Sequence, residues 1–307
     1  MPAADWLSDQ FLLSVKRRGN ISTSVDGWSD ADILAIATDE MRDSIVPMLR
    51  RLAEEYLVNN YDQTVTSGTS DYALPSWALG ESLRDVQLYD GSGGYVSLVR
   101  KEPSDVSAVS QTARPTCYFL RDNKVVLVPT PTATQSNGLR LRCLRRPGKL
   151  VELDEAYVIT VADVGMGATV AALSGSIAVA TTFGSSYTAD IIQAGPGFRT
   201  LYSGLAATST GSLVSLASAW ATTAPLAAVG DYVVLQDRSP APQIPNELHA
   251  LLAQQTVCSF LRASGQPGLE AAEAKRQVMW AEAEKLFSPR TENQPRYIHN
   301  KYGARTG

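Results

Sequence analysis

The sequence contains few of the residue types that most catalytic and metal-binding sites use. It has two histidines, His249 and His299, and three cysteines, Cys117, Cys143 and Cys258. His249 lies near the start of a predicted helix, so we expect it to be partly exposed at the surface. Histidine is the commonest general acid–base residue, and widely spaced cysteines in odd number form neither a disulfide framework nor a metal-binding spacing. The sequence therefore predicts a protein that is not an enzyme and has no catalytic, cofactor-binding or metal-binding residues. A reducing compartment suits these cysteines.

Charge and long hydrophobic runs are also scarce. Charged residues make up 19% of the chain and the formal net charge is −4, so no overall basic field indicates a nucleic-acid partner. No apolar run reaches the roughly 18 residues that a membrane-spanning helix needs, and we expect no membrane partner. The 307 residues, 44% of them hydrophobic, are enough for a sizeable core and about two domains.

Helical patterns occur near both ends of the chain. Ser29 and Asp32 form a capping-box pattern before a periodic apolar stretch that extends to about residue 57, and Pro47 predicts a kink within it. Near the other end, Asn246 is the expected cap of one helix, and residues 267–268 (Pro-Gly) precede another. Residues that mark the predicted apolar faces are Leu7, Phe11, Val15, Ile33, Ala37, Met41, Ile45, Leu49, Leu248, Leu251 and Leu252.

Short β-rich segments fill the region between these helices, and the clearest is "YFLRDNKVVLVPTP". Asp122 and Asn123 separate two apolar runs, and both residue types tolerate positive φ, so we expect a hairpin between 116–120 and 124–128. Pro129 should end the second strand, because proline cannot donate to the hydrogen-bond ladder.

The composition changes from about residue 157. Residues 165–230 contain only two charged side chains, Asp190 and Arg199, among many alanines, serines, threonines and glycines. Strand-like runs and turn residues within this stretch predict an inserted low-charge β-domain over 156–237. The proline-rich residues 239–245 that follow are expected to form a stiff extended connector.

Together these patterns predict an α+β protein. A helix bundle is expected to form from both chain ends, with β-structure between them and the inserted β-domain in addition. The predicted core, a helix bundle with β-hairpins, spans 1–155 and 238–290, and an extended C-terminal tail spans 291–307.

Basic residues concentrate in one part of the chain. Residues 100–150 contain ten lysines and arginines against three acids, a net charge of +7, whereas residues 1–60 carry ten acids and six bases. In "LRLRCLRR" the arginines alternate with apolar residues, which places them on one side of a strand. Three interpretations stay open: a solvated sheet face, a protein–protein interface, or a lining for DNA phosphates. The predicted basic face comprises Arg121, Lys124, Arg140, Arg142, Arg145 and Arg146.

The order of several motifs resembles the head-to-tail connector (adaptor) proteins of tailed bacteriophages. These motifs are "DEMRDSIVPMLRRLAEEYLVNNYD", "YALPSWALGESLRDVQLYD", "RPTCYFLRDNKVVLVPTP", "LRLRCLRRPGKLV", "VGDYVVLQDRSPAPQIPNELHALLAQQTV" and "FSPR". The resemblance covers most of residues 29–155 and 228–290; the insert at 156–237 departs from compact members. It implies a helical bundle that carries a β-domain, with about a dozen copies in a ring under the portal and no catalytic residues.

The function implied by the resemblance is structural: the ring would join head to tail and line the DNA channel. Expected partners are the portal protein, other tail or connector proteins, and genomic DNA through non-specific contact. The protein would be made in the bacterial host cytoplasm and reside in the virion at the head–tail interface. Alternatives are a tail-tube or baseplate component, or a nucleic-acid-binding module that uses the basic face.

The C-terminal tail is the candidate anchor for the portal or a neighbouring subunit. Residues 288–307 carry a net charge of +3 with interleaved aromatic residues, too little apolar surface to fold alone but enough to dock in a preformed groove. The candidate interface residues are Arg290, Arg296, Tyr297, Ile298, Lys301, Tyr302 and Arg305.

Overall fold

The computed structural model describes residues 6–21, 28–105, 113–162, 170–174, 186–195, 197–210, 213–216 and 228–288. The fold is mixed α+β, which confirms the predicted class, while a bundle built from both chain ends stays a prediction. The described helices are α1 (Ser8–Gly19), α2 (Asp30–Glu40), a π-helical turn (Met41–Ile45), α3 (Val46–Leu52), α4 (Asn246–Ser264) and α5 (Leu269–Phe287).

The predicted capping box at the start of α2 is confirmed. The Ser29 hydroxyl accepts a hydrogen bond from the Asp32 amide at 3.2 Å, and the Asp32 carboxylate accepts one from the Ser29 amide at 2.8 Å. The irregularity expected at Pro47 takes the form of the π turn just before it, where the Val46 amide donates to the Met41 carbonyl. A wider turn suits this place, because proline removes a helical donor and crowds the carbonyl four residues earlier.

The prediction that Asn246 caps α4 was wrong by one residue. Pro245 occupies the cap position and Asn246 is the first helical residue, without a side-chain cap. A cap residue needs an extended backbone, and Pro245 supplies it with ψ of 138°. Gly268 is the cap of α5, as the Pro-Gly pair predicted.

The helices share one hydrophobic core with part of the sheet. Phe11 of α1, Ile33 of α2 and Phe260 of α4 are buried in the same cluster as Leu49 and Leu144. Helix α4 packs against α1, α2 and α5 and therefore lies at the centre of this cluster.

The β-strands form four groups. One four-stranded sheet has the order β1-β8-β3-β4, another has the order β2-β7-β6-β5, strands β10-β11-β14-β13-β12-β15 close into a barrel, and β9 pairs with β16 in parallel. The strands are β1 (Val58–Val65), β2 (Asp71–Ala73), β3 (Ala78–Tyr89), β4 (Tyr95–Ser97), β5 (Val99–Arg100), β6 (Cys117–Arg121), β7 (Lys124–Val128), β8 (Gln135–Arg145), β9 (Lys149–Leu150), β10 (Tyr157–Ala162), β11 (Val170–Ser174), β12 (Ser186–Ile192), β13 (Thr200–Thr210), β14 (Leu213–Leu216), β15 (Tyr232–Leu235) and β16 (Arg238–Ser239).

The two four-stranded sheets share a second hydrophobic cluster. It contains Leu139, Leu141 and Cys143 of β8 together with Leu127 of β7 and Tyr118 of β6. The predicted hairpin is confirmed: β6 pairs with β7, and Asp122 and Asn123 between them have φ of 49° and 59°. This is the geometry of a tight two-residue turn, and β7 ends directly before Pro129.

The barrel has its own interior and also a cluster that it shares with the rest of the fold. Tyr157, Ile191 and Val233 are buried in the interior cluster. Phe198 and Ile192 belong instead to a cluster that includes Ala241 and is contacted by Leu7 and Leu153. The proline-rich segment 239–245 is thus buried against the barrel.

No helix in the part of the chain that the structure describes combines the length and the apolar character needed to cross a bilayer.

Candidate interaction surfaces

The outward-facing arginines of β8 are paired with acids of β1 and of the short helical turn before it. Arg140 stands opposite Asp62 of β1 and donates two hydrogen bonds to its carboxylate, at 2.7 and 2.8 Å. The guanidinium also lies 3.9 Å from the centre of the Tyr95 ring. The hydrogen bonds to Asp62 raise the pKa of Arg140 above its ordinary value, so this arginine stays charged and neutralised by its partner.

The next arginine along β8 shares an acid with β3. Arg142 lies 3.3 Å from the Glu55 carboxylate, and Arg84 lies 3.0 Å from the same group. Arg84 also approaches Glu54 at 3.8 Å. This face of the sheet therefore carries alternating charges of both signs.

The other predicted basic residues lie elsewhere. Arg121 and Lys124 belong to the β6–β7 hairpin in the second sheet, where Arg121 pairs with Asp71 at 3.0 Å. Arg146 follows β8 and donates to the carbonyl of Ser76 at 2.9 Å. The six residues are thus distributed over two sheets and a connecting segment, and three of them have an acidic partner.

Arg145 differs from its neighbours on β8 because it faces the barrel. Its Nε is buried, although the residue keeps some solvent contact. Burial lowers the pKa of Arg145 to about 10, against the opposing effect of nearby Asp190 and Asp237. The sequence does not mark this position, because the alternation of β8 breaks at Leu144, whose side chain joins the helical core.

A network of polar side chains fixes the barrel against the rest of the fold. The Gln243 side chain accepts from the Gly148 amide at 2.9 Å and donates to the Phe198 carbonyl and the Thr200 hydroxyl at 2.9 and 3.1 Å. Inside the barrel rim, buried Asp190 accepts from Ser203, Gly204 and Asp237 at 2.8 to 2.9 Å. Burial raises the pKa of Asp190, although these hydrogen bonds oppose the effect. Sequence analysis did not identify Gln243 as a junction residue, because nothing local marks it.

His249 was expected at the surface, and the structure shows that this was wrong. The imidazole is fully buried, its Nε2 lies 3.1 Å from the carbonyl oxygens of both Pro242 and Ile244, and its ring contacts Trp6 edge to face. The buried segment before α4 folds over the first turn of the helix and covers the side chain. Burial lowers the pKa of His249 to about 4, so the ring is neutral at physiological pH.

The three cysteines are free and buried. Burial raises the pKa of Cys143 to about 12 and also raises that of Cys258, which disfavours the reactive thiolate form. Within the described ranges, no group of three histidine, cysteine, aspartate or glutamate side chains is placed to share a metal ion.

Helix α5 leaves two large apolar side chains exposed to solvent. Val278 and Leu286 are 60% and 62% exposed, and Ala283 alone among the residues of this helix is buried. A groove of about 470 Å³ runs between α5 and the α2–α3 segment, with Trp280, Gln255 and Ser44 among its lining residues. The ion pair between Arg51 and Glu284 joins α3 to α5.

The seven tail residues proposed as an anchor, from Arg290 to Arg305, lie outside the described residues.

A family model described as SU10 adaptor protein matches residues 3–173, more than half of the chain. That range contains α1 to α3, both four-stranded sheets and the first strands of the barrel. A search of curated proteins found no match.

Proposed function

Because this chain belongs to the SU10 adaptor protein family and is thereby a phage structural adaptor, we propose that it joins the phage head to the tail. In this proposal, copies of the chain form a closed ring under the portal, with helix bundles side by side, and the ring surrounds the channel through which DNA passes. The portal would bind one face of the ring and tail components the other.

The observation that supports a ring most directly is the exposed apolar face of α5. Val278 and Leu286 are large apolar side chains that one helix leaves exposed, and Leu13 of α1 is also exposed. A head-to-tail contact that closes on itself joins two different surfaces of each subunit. The face of α5 is our candidate for one of these surfaces, because covering apolar side chains supplies the main favourable term in association.

The charge pattern of the β1–β8 sheet favours contact with protein over contact with DNA. DNA binding gains from arginines that are free to neutralise phosphates. Here Arg140 already has a carboxylate partner on the same sheet, Asp62, and Arg142 has one in the turn before β1, Glu55. A surface with both signs of charge suits registration against a neighbouring protein, which makes the nucleic-acid-binding alternative the weaker one.

The ring can be tested by placing charge on the face of α5. We expect the double variant Val278→Glu, Leu286→Glu to fold but to stay monomeric, since burying two carboxylates in an apolar contact is costly. A matched control is Val229→Glu, because Val229 is 66% exposed in a turn between barrel strands.

The mass of each purified variant in solution is measured by size-exclusion chromatography with light scattering. Particles from phages that carry each variant are then examined by electron microscopy. Rings formed equally well by the double variant would exclude this helix face as the interface. Rings absent from wild-type virions would refute the adaptor role itself.

A further inference from the structure

A cavity lies where the end of β8 meets the barrel. It has a volume of about 80 Å³ and is lined by Tyr56, Arg145, Gly197 and Arg199, among others. A cavity needs about 10–15 Å³ to hold one water, so this one accommodates several waters or a single small ion. It shares Arg145 and Arg199 with a larger cleft of about 590 Å³, which gives it a route to solvent.

Two buried hydrogen-bond donors line this cavity. Among the described residues, neither Arg145 Nε nor Tyr56 Oη has a hydrogen bond. Leaving buried donors unpaired is costly, and most such groups in native proteins are satisfied by protein, water or a ligand. Burial raises the pKa of Tyr56 to about 12, so its hydroxyl stays protonated and able to donate.

The charged side chains that line the cavity, Arg145 and Arg199, are both cationic, while Asp190, Asp237 and Glu247 act on it from outside the lining. No carboxylate of the described residues lies within ion-pair distance of Arg145 or Arg199, and Arg199 is exposed at the rim. Asp190 and Asp237 favour the charged form of Arg145 without forming an ion pair with it. Asp190 already accepts three hydrogen bonds of its own.

The backbone leaves room for this arrangement at Gly197. A Cβ at this position would lie 2.3 Å from Tyr56 Oη, and φ is +79°, so a side chain here would displace the tyrosine. Glycine therefore allows the tyrosine hydroxyl to reach the cavity wall.

We propose that this cavity binds a small oxyanion, with the chemistry of phosphate or of a carboxylate. The planar guanidinium of Arg145 provides a donor fork that matches such oxygens. Tyr56 Oη donates a further hydrogen bond, and Arg199 closes the site from the cleft side. A bound anion here links the β1–β8 sheet to the barrel strand β13 and holds the two together.

The test uses the full chain and two probes, sodium phosphate and sodium acetate, each against sodium chloride at equal ionic strength. Isothermal titration calorimetry gives the dissociation constant, and thermal unfolding gives the accompanying stabilisation. We expect Tyr56→Phe and Arg199→Gln each to weaken binding about tenfold, the loss of one charge-assisted hydrogen bond. Arg142→Gln is the matched control, because Arg142 lies on the same strand outside this cavity and should bind as wild type.

Stronger binding of phosphate or of acetate identifies the preferred geometry of the anion, and either result supports the site. Arg145→Lys should weaken binding further; if this variant does not fold, Tyr56→Phe, which removes one oxygen atom, decides the question. The absence of binding by both probes overturns the proposal. So does binding that is the same in wild type, Tyr56→Phe and Arg199→Gln.

Discussion

Arg140 and Asp62 stand opposite each other on neighbouring strands, and two hydrogen bonds of 2.7 and 2.8 Å join their side chains. The side chains are only 29% and 32% exposed, and the geometry is bidentate, which places this pair at the upper end of what surface ion pairs contribute. We expect Arg140→Gln to lower the free energy of unfolding by about 1 kcal/mol, as measured by urea denaturation.

The pair between Arg121 and Asp71 is a matched control on the other sheet. It has a single hydrogen bond and an arginine that is 56% exposed, so Arg121→Gln should cost only a few tenths of a kcal/mol. Equal losses at the two positions would show that the bidentate geometry contributes nothing. A double-mutant cycle with Asp62→Asn separates the pair energy from the loss of the Tyr95 contact.

Features that depend on neighbouring residues could be predicted from the sequence. The capping box at Ser29 and the hairpin turn at Asp122 and Asn123 follow from local chemistry, because a cap or a tight turn is specified by two or three adjacent side chains. The α+β class followed from the periodicity of these segments.

The charge pairs could not be predicted in this way. Arg140 and its partner are 78 positions apart, and only the antiparallel pairing of β1 with β8 brings them together. A count over residues 100–150 includes the arginines but omits the acids that pair with three of them, Glu55, Asp62 and Asp71. His249 was misjudged for the same reason, since its burial depends on contacts with Trp6 from the opposite end of the chain.

The buried imidazole of His249 makes stability depend on pH. Its pKa is about 4 in the folded protein and 6.5 as the ordinary value, so between these values the unfolded chain binds a proton that the folded one does not. Stability from this group is complete above pH 6.5 and falls as the pH decreases towards 4, by up to about 1.4 kcal/mol per pH unit.

His249→Gln removes the titrating group and keeps an amide donor for the carbonyls of Pro242 and Ile244. We expect this variant to lose less stability than wild type between pH 7 and pH 5, with urea midpoints as the measurement. Carboxylates contribute equally to both proteins, so the difference between their plots of stability against pH gives the contribution of His249 alone. Parallel curves would mean that the folded protein can protonate this ring.

The C-terminal tail provides a test of attachment to the portal. Removing residues 290–307 takes away all seven proposed anchor residues and leaves every described element intact. We expect the truncated chain to fold with unchanged helical content but to lose co-sedimentation with portal rings, because a ring multiplies many weak tail contacts into strong avidity. Undiminished co-sedimentation would make the sheet face or α5 the better candidate for the anchor.

The barrel tests how far the fold divides into separate units. The helical core cluster contains no described residue from 157–236, which suggests that the helices do not need the barrel to pack. Replacing 157–236 with a short Gly/Ser linker should therefore preserve the helical signal in far-ultraviolet circular dichroism.

Stability should nevertheless fall in this deletion variant. Gln243 loses its acceptors at Phe198 and Thr200, which leaves a buried amide partly unsatisfied, and Ala241 and Leu7 lose the apolar neighbours of their shared cluster. An unsatisfied buried group costs about 1–3 kcal/mol, so we expect a loss of at least that size by urea denaturation. A collapse of the helical signal would show that the helices fold only with the barrel in place. An unchanged free energy of unfolding would show instead that the polar contacts of Gln243 contribute nothing to holding the barrel against the core.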